Sequence, residues 1–117
     1  MANLRSFEPN EFLQIARRLA RENSQASSRT AVGRIYYALF LTARESLLDR
    51  VGASFTNSGQ DHGSVYRALR SQNRAIARRF DQLRRLRGLC DYDLTVRITK
   101  VDVERALSSF EAVSREL

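Results

Sequence analysis

The chain has 117 residues, a length for one domain, with 43% hydrophobic and 28% charged residues, as in an ordinary globular protein. Its single cysteine, Cys90, excludes an internal disulfide and a cysteine-rich metal site and fits a reducing compartment. No run approaches the roughly 18 apolar residues of a membrane span, and the opening MANLRSFEPNEF lacks the apolar core of a signal peptide, so a cytoplasmic protein is expected.

In chain order, a first helix is expected to start near Pro9, with Glu8 and Glu11 at its positive end. Its buried stripe is Phe12, Ile15, Ala16 and Leu19, and it fades in the polar run Glu22-Asn23-Ser24-Gln25. The second helix, from Ser28 to Val51, dominates the chain. Val32, Ile35, Tyr36, Leu39, Phe40, Ala43 and Leu47 make one face, and Tyr37, Leu41, Arg44 and Leu48 an adjoining one. That arc is too wide for a helix wet on one side, which predicts a central helix contacted by several others. One of Ser27, Ser28 or Thr30 is expected to cap it.

Residues 52–63, GASFTNSGQDHG, have turn residues and no periodicity and read as the loop of the chain. A third helix, capped near Asp61, turns Val65, Ala68 and Leu69 inward, and Ser71-Gln72-Asn73 marks a bend or break. The fourth carries Ile76, Phe80, Leu83, Leu86 or Arg87, and Cys90 on one face and ends at Asp91-Tyr92-Asp93-Leu94. Thr99-Lys100-Val101-Asp102 reads as a capping box, opening a last helix with the stripe Val103, Ala106, Leu107, Phe110, Val113 and Leu117. No strand pattern competes. The prediction is a single all-α domain over residues 1–117, an antiparallel bundle of four to five helices.

The formal net charge is +7, and 19 of the 20 basic residues are Arg. Arg67, Arg70, Arg74, Arg78, Arg79, Arg84, Arg85 and Arg87 face a single acid, Asp81, within 21 residues, while the rest of the chain balances. A surface helix laced with salt bridges alternates signs; this one does not. On one continuous helix Arg67, Arg70, Arg74, Arg78 and Arg85 keep near one face, a candidate surface for a nucleic acid or another polyanion, whose phosphates the planar Arg fork suits. Arg84 and Arg87 point elsewhere. Arg87 and Asp91 share a face and pair, with Tyr92 beside them. Arg34, amid Val32, Ile35, Tyr36, Tyr37 and Leu39, lies at the stripe's edge or is partly buried, and then Asp91 is its candidate carboxylate. His62 is the only histidine and has no HExxH-type spacing around it, so no metal site and no cofactor are expected.

Two blocks, RIYYALFLTARESLL (Arg34–Leu48) and LRRLRGLCDYDL (Leu83–Leu94), resemble the signatures of HEPN-domain proteins, in particular the small stand-alone prokaryotic group. There the second helix reads roughly R-x-Y-Y-A-x-F and the fourth ends in R-x-x-A-D-Y. The matching positions are Arg34, Tyr36, Tyr37, Ala38 and Phe40, then Arg87, Cys90, Asp91 and Tyr92, with His62 where such proteins often open the third helix. The resemblance implies an all-helical bundle that forms homodimers, a role in toxin–antitoxin or other defence systems, and often a small nucleotidyltransferase partner protein. Many members are metal-independent ribonucleases with an Arg-x4–6-His motif at the end of the fourth helix. Here Arg87 supplies an Arg, but Asp91-Tyr92 stands where the His would be. The expectation is an RNA- or nucleotide-binding component that is non-catalytic or has an altered site, with Arg34, Tyr37 and His62 supporting it. The alternatives are a ribonuclease with a degenerate site of Arg87, Asp91 and Tyr92, and an adaptor that meets an acidic protein partner.

Overall fold

In the computed structural model, which describes residues 6–52 and 54–117, the chain folds into five helices and no strand among those residues. They are α1 (Glu11–Ala20), α2 (Gln25–Val51), α3 (Asp61–Gln72), α4 (Arg74–Tyr92) and α5 (Lys100–Ser114). The architecture is an all-α bundle, as the periodicities predict. No described helix is long and apolar enough to cross a membrane.

The bundle is built on α2, which packs against each of the other four helices. Its 27 residues span about 40 Å, close to the longest dimension of the molecule, 43 Å. Val32, Ile35, Tyr36, Leu39, Phe40, Ala43 and Leu47 are all buried, as are Ala31 and Ala38 between them. Around them lie Val65 and Leu69 of α3, Ala77, Phe80, Leu83 and Cys90 of α4, and Val103, Ala106, Phe110 and Val113 of α5. Burying each Leu, Ile or Phe stabilises the fold by about 1.5–3 kcal/mol.

The ends of the helices follow local chemistry. Ser24, not a residue at 27–30, caps α2: its side chain accepts from the backbone N–H of Ser27 at 3.0 Å. The helix thus starts before its apolar pattern does. It stops at Gly52, whose φ of 63° is left-handed and whose N–H reaches the Leu47 carbonyl. The break expected at 71–73 falls on Asn73, with φ −160° and ψ 110°. Its side chain accepts from the N–H groups of Ala75 and Ile76 and starts α4 at once. The capping box at Thr99 and Asp102 is formed. In α1, which starts at Glu11, two residues after Pro9, Leu13 and Ala16 are buried and Ile15 is exposed, against the expected stripe. This helix packs mainly on α2, so only a narrow strip of it is covered.

The connection between α4 and α5 is held from α2. Arg29 donates to the carbonyls of Cys90 (3.0 Å) and Val96 (2.6 Å), and Gln25 bonds both backbone groups of Ile98 at 2.7 and 3.0 Å. The end of α4, which carries Arg87 and Asp91, is fixed by these bonds.

Candidate functional site

Where α2, α3 and α4 meet, successive turns of α2 supply Tyr36, Tyr37 and Phe40. Tyr36 is fully buried, its ring 5.7 Å from that of Phe80 on α4. The loop before α3 is wound around one carboxylate. Buried Asp61 accepts from the Thr56 N–H, the Thr56 hydroxyl and the Asn57 N–H, each at 2.8 Å, and lies 3.7 Å from Arg44. Burial pushes its pKa up, but those donors and the Arg44 charge outweigh it and hold it below the usual carboxylate range. Asp61 therefore fixes where α3 begins, and so where His62 lands.

His62 lands on the α2 aromatics. Its ring stacks on Phe40 at 4.1 Å and on Tyr36 at 5.6 Å, stands edge-on to Tyr37 at 5.8 Å, and its Nδ1 is 2.6 Å from the Tyr36 hydroxyl. Which atom donates follows from burial. Burial raises the pKa of Tyr36, so its hydroxyl stays protonated, and His62 is the one hydrogen-bond partner of that hydroxyl among the described residues. If Nδ1 carried the proton, the buried Tyr36 O–H would have no acceptor. The hydroxyl therefore donates to Nδ1, and the ring proton sits on Nε2. Burial, then Arg87 and Arg84, hold the His62 pKa below its ordinary value, against the pull of Asp61. At neutral pH this is an uncharged imidazole that offers a donor at Nε2.

Arg87 covers the same two tyrosines, its guanidinium 5.2 Å from the Tyr36 ring centre and 5.8 Å from that of Tyr37. It donates to Asp91 at 3.1 Å, and its Nε is buried with no hydrogen-bond partner. Arg84, one turn earlier and half-buried, makes no ion pair or hydrogen bond among the described residues. The half-buried cluster thus holds two guanidinium groups against the Asp91 carboxylate. No group of three His, Cys, Asp or Glu side chains is placed to hold a metal among the described residues.

Arg87, Asp91, Tyr37 and His62 are brought together. The Arg34–Asp91 pair is not formed. Asp91 is taken by Arg87 one turn away on the same helix, and the Arg34 guanidinium lies over the rings of Phe12 (4.8 Å) and Tyr37 (5.1 Å). Tyr92, 78% exposed, makes no ring contact or hydrogen bond among the described residues and stands apart from Arg87 and Asp91. Cys90 is buried and its thiol is pushed up to about 11, so it packs rather than reacts. Sequence reasoning missed Arg84 and the hydroxyl of Tyr36. The i, i+3 spacing of Arg84 and Arg87 was the available signal; for Tyr36 there was none, since its stripe reads as core.

Arg67 and Arg70 on α3, and Arg74, Arg78 and Arg85 on α4, are all exposed. They do not form one stripe, because Asn73 breaks the helix between them. Of the five, Arg85 alone holds an acid among the described residues, Asp81 at 2.8 Å.

No family model and no solved structure matches the chain. The uncharacterized protein MJ0992 of Methanocaldococcus jannaschii is similar to it, 31% identical over 132 aligned positions that cover 95% of this chain and 75% of the relative. At that identity and coverage the chain belongs to the family of this uncharacterized archaeal protein.

Proposed function

We propose that this chain is a HEPN-type RNA-binding protein that holds RNA on the arginines of α3 and α4 without cleaving it. In this reading it acts in the cytoplasm as a homodimer within a toxin–antitoxin or defence system, beside the nucleotidyltransferase partner that the resemblance implies. The observation that carries the binding claim is the set of exposed arginines with almost no counter-charge. Arg67, Arg70, Arg74 and Arg78 have no acidic partner among the described residues, so their charge is free for phosphates.

One observation favours the ribonuclease alternative: Arg87 and His62, 25 positions apart, meet over Tyr36. The tautomer argues against it. A general base for the RNA 2′-hydroxyl needs an unprotonated ring nitrogen within reach, and in His62 Nδ1 is held by Tyr36 while Nε2 bears the proton. The arrangement binds anions better than it moves protons.

The test is a low-salt gel shift with single-stranded RNA. Wild-type protein is expected to shift the RNA and leave it intact, and the Arg74→Glu, Arg78→Glu, Arg85→Glu triple variant to lose the shift. All three side chains are exposed, so the core is untouched. Retained binding in the variant would remove the α4 arginines from the interface, and metal-independent cleavage lost in His62→Gln would favour the ribonuclease.

A further inference from the structure

The geometry points to a discrete phosphate seat, formed by His62, Arg84 and Arg87 against the rings of Tyr36 and Tyr37 and occupied by an internal phosphodiester of single-stranded RNA. This inference rests on the RNA-binding reading above and adds to it a particular place and particular atoms.

Three observations lead there. First, the groups assembled at this junction are donors. With Nδ1 occupied by the Tyr36 hydroxyl, His62 presents its N–H at Nε2, and guanidinium groups have no acceptor to offer. Second, these donors are under-used. Arg87 spends one nitrogen on Asp91 and keeps a buried Nε with no partner, while Arg84 has no described partner at all. A buried N–H without an acceptor is unfavourable in itself, and a small turn of the half-buried Arg87 guanidinium toward a ligand's acceptor oxygens relieves it. Third, the charge is unbalanced in a half-buried place: two guanidinium groups, one turn apart on α4, with Asp91 as the carboxylate bonded there. Asp81 and Asp61 are committed elsewhere, to Arg85 and to the 56–57 backbone and Arg44.

A phosphate answers all three at once. It carries negative charge and several acceptor oxygens, and it suits donors converging from different directions. The π faces of Tyr36 and Tyr37 hold Arg87 in position before the ligand arrives, so little side-chain freedom is lost on binding. The seat lies on α4, the helix that also carries Arg74, Arg78 and Arg85. Arg84 adjoins Arg85 in sequence but turns to another face of α4, so an RNA held by Arg85 brings a neighbouring phosphodiester to the seat by wrapping that edge of the helix, and this argues for a chain-internal phosphodiester over a free anion.

His62 is the only histidine, so its ring nitrogens can be read without ambiguity in protein labelled with nitrogen-15 histidine. Three probes separate the sources: 5′-hydroxyl hexauridylate, whose phosphates are all internal, uridine 5′-monophosphate, and inorganic phosphate. Hexauridylate is expected to shift the His62 Nε2 resonance at low salt. In Arg84→Gln the same RNA is expected to bind at least about tenfold more weakly and to leave that resonance nearly still. The Tyr36-bonded Nδ1 signature reports that the variant is folded. Arginine side-chain resonances of the exposed set report RNA binding independently. If they move while His62 stays still, RNA binds the protein and this seat is wrong. If neither moves, the RNA-binding reading falls with it. A His62 shift with inorganic phosphate or the mononucleotide but not with hexauridylate would overturn the assignment to internal phosphodiesters.

Discussion

At the scale of single residues, one hydrogen bond, from Tyr36 to His62, organises the site. It joins α2 to α3 and sets the tautomer of the imidazole, while burial and the charges of Arg87 and Arg84 keep that ring neutral. Tyr36→Phe removes the donor and leaves the packing. The expected outcome is a changed tautomer balance of His62 and a loss of about 1 kcal/mol of stability, read by nitrogen-15 imidazole shifts and urea unfolding. A tautomer balance that does not change would mean that the hydroxyl does not donate to Nδ1. Burial and the nearby arginines set the sign of a pH effect at His62. The folded pKa of His62 lies below its ordinary 6.5, so under mildly acidic conditions the unfolded chain binds the proton first. Stability is therefore unaffected by this group above about pH 6.5 and falls as pH drops below it. Urea titrations at mildly acidic and neutral pH should show that fall in wild type, and a smaller one in His62→Gln.

His62 itself was legible only as a position. Its place at the opening of the third helix could be read from the chain, but what it would touch could not. That depends on where α3 begins, and α3 begins where Asp61 gathers the backbone N–H groups of Thr56 and Asn57. The partner of Arg34 was misread for a related reason. An Arg in an apolar stripe suggested a carboxylate, yet the faces of Phe12 and Tyr37 accommodate its charge.

At the scale of elements, apolar periodicity located every helix because five amphipathic patterns with few breakers leave little ambiguity. The wide arc of α2 foretold contacts on all sides. Helix ends were harder. The Thr99 box was legible because its two side chains bond reciprocally at a fixed spacing. The Ser24 cap was not, since the first turn of α2 carries no apolar residue of the repeat. The α4–α5 connection has no periodicity, and what fixes it, Arg29, is remote in sequence. Arg29→Met is predicted to destabilise the protein by about 1.5–3 kcal/mol, the range for hydrogen bonds to a charged group. Amide exchange is predicted to speed up at residues 93–99 before the rest of the bundle opens, because those backbone groups lose their tie to α2. Uniform exchange across the molecule would show that the connection is held by packing instead.

At the scale of the whole molecule, α3 and α4 carry two sets of arginines, one exposed and one half-buried. The exposed arginines of α3 and α4 were visible as a run of one sign, and the break at Asn73 divides them between two helices. On another face of α4, Arg84 and Arg87 are half-buried, and Arg87 lies over the Tyr36 and Tyr37 rings of α2. The first set attracts a polyanion at a distance and with little selectivity; the second supplies fixed donors for one group of it.

Binding of that kind has a measurable signature, the dependence of affinity on salt. Fluorescence anisotropy of a labelled single-stranded RNA, titrated with protein at several salt concentrations, tests the central claim most directly. If the five exposed arginines each neutralise a phosphate, log K against log salt should fall with a slope of about −3 to −4, and the triple Arg-to-Glu variant should lose about two units of that slope. A slope near zero, or the same slope in the variant, would contradict the account.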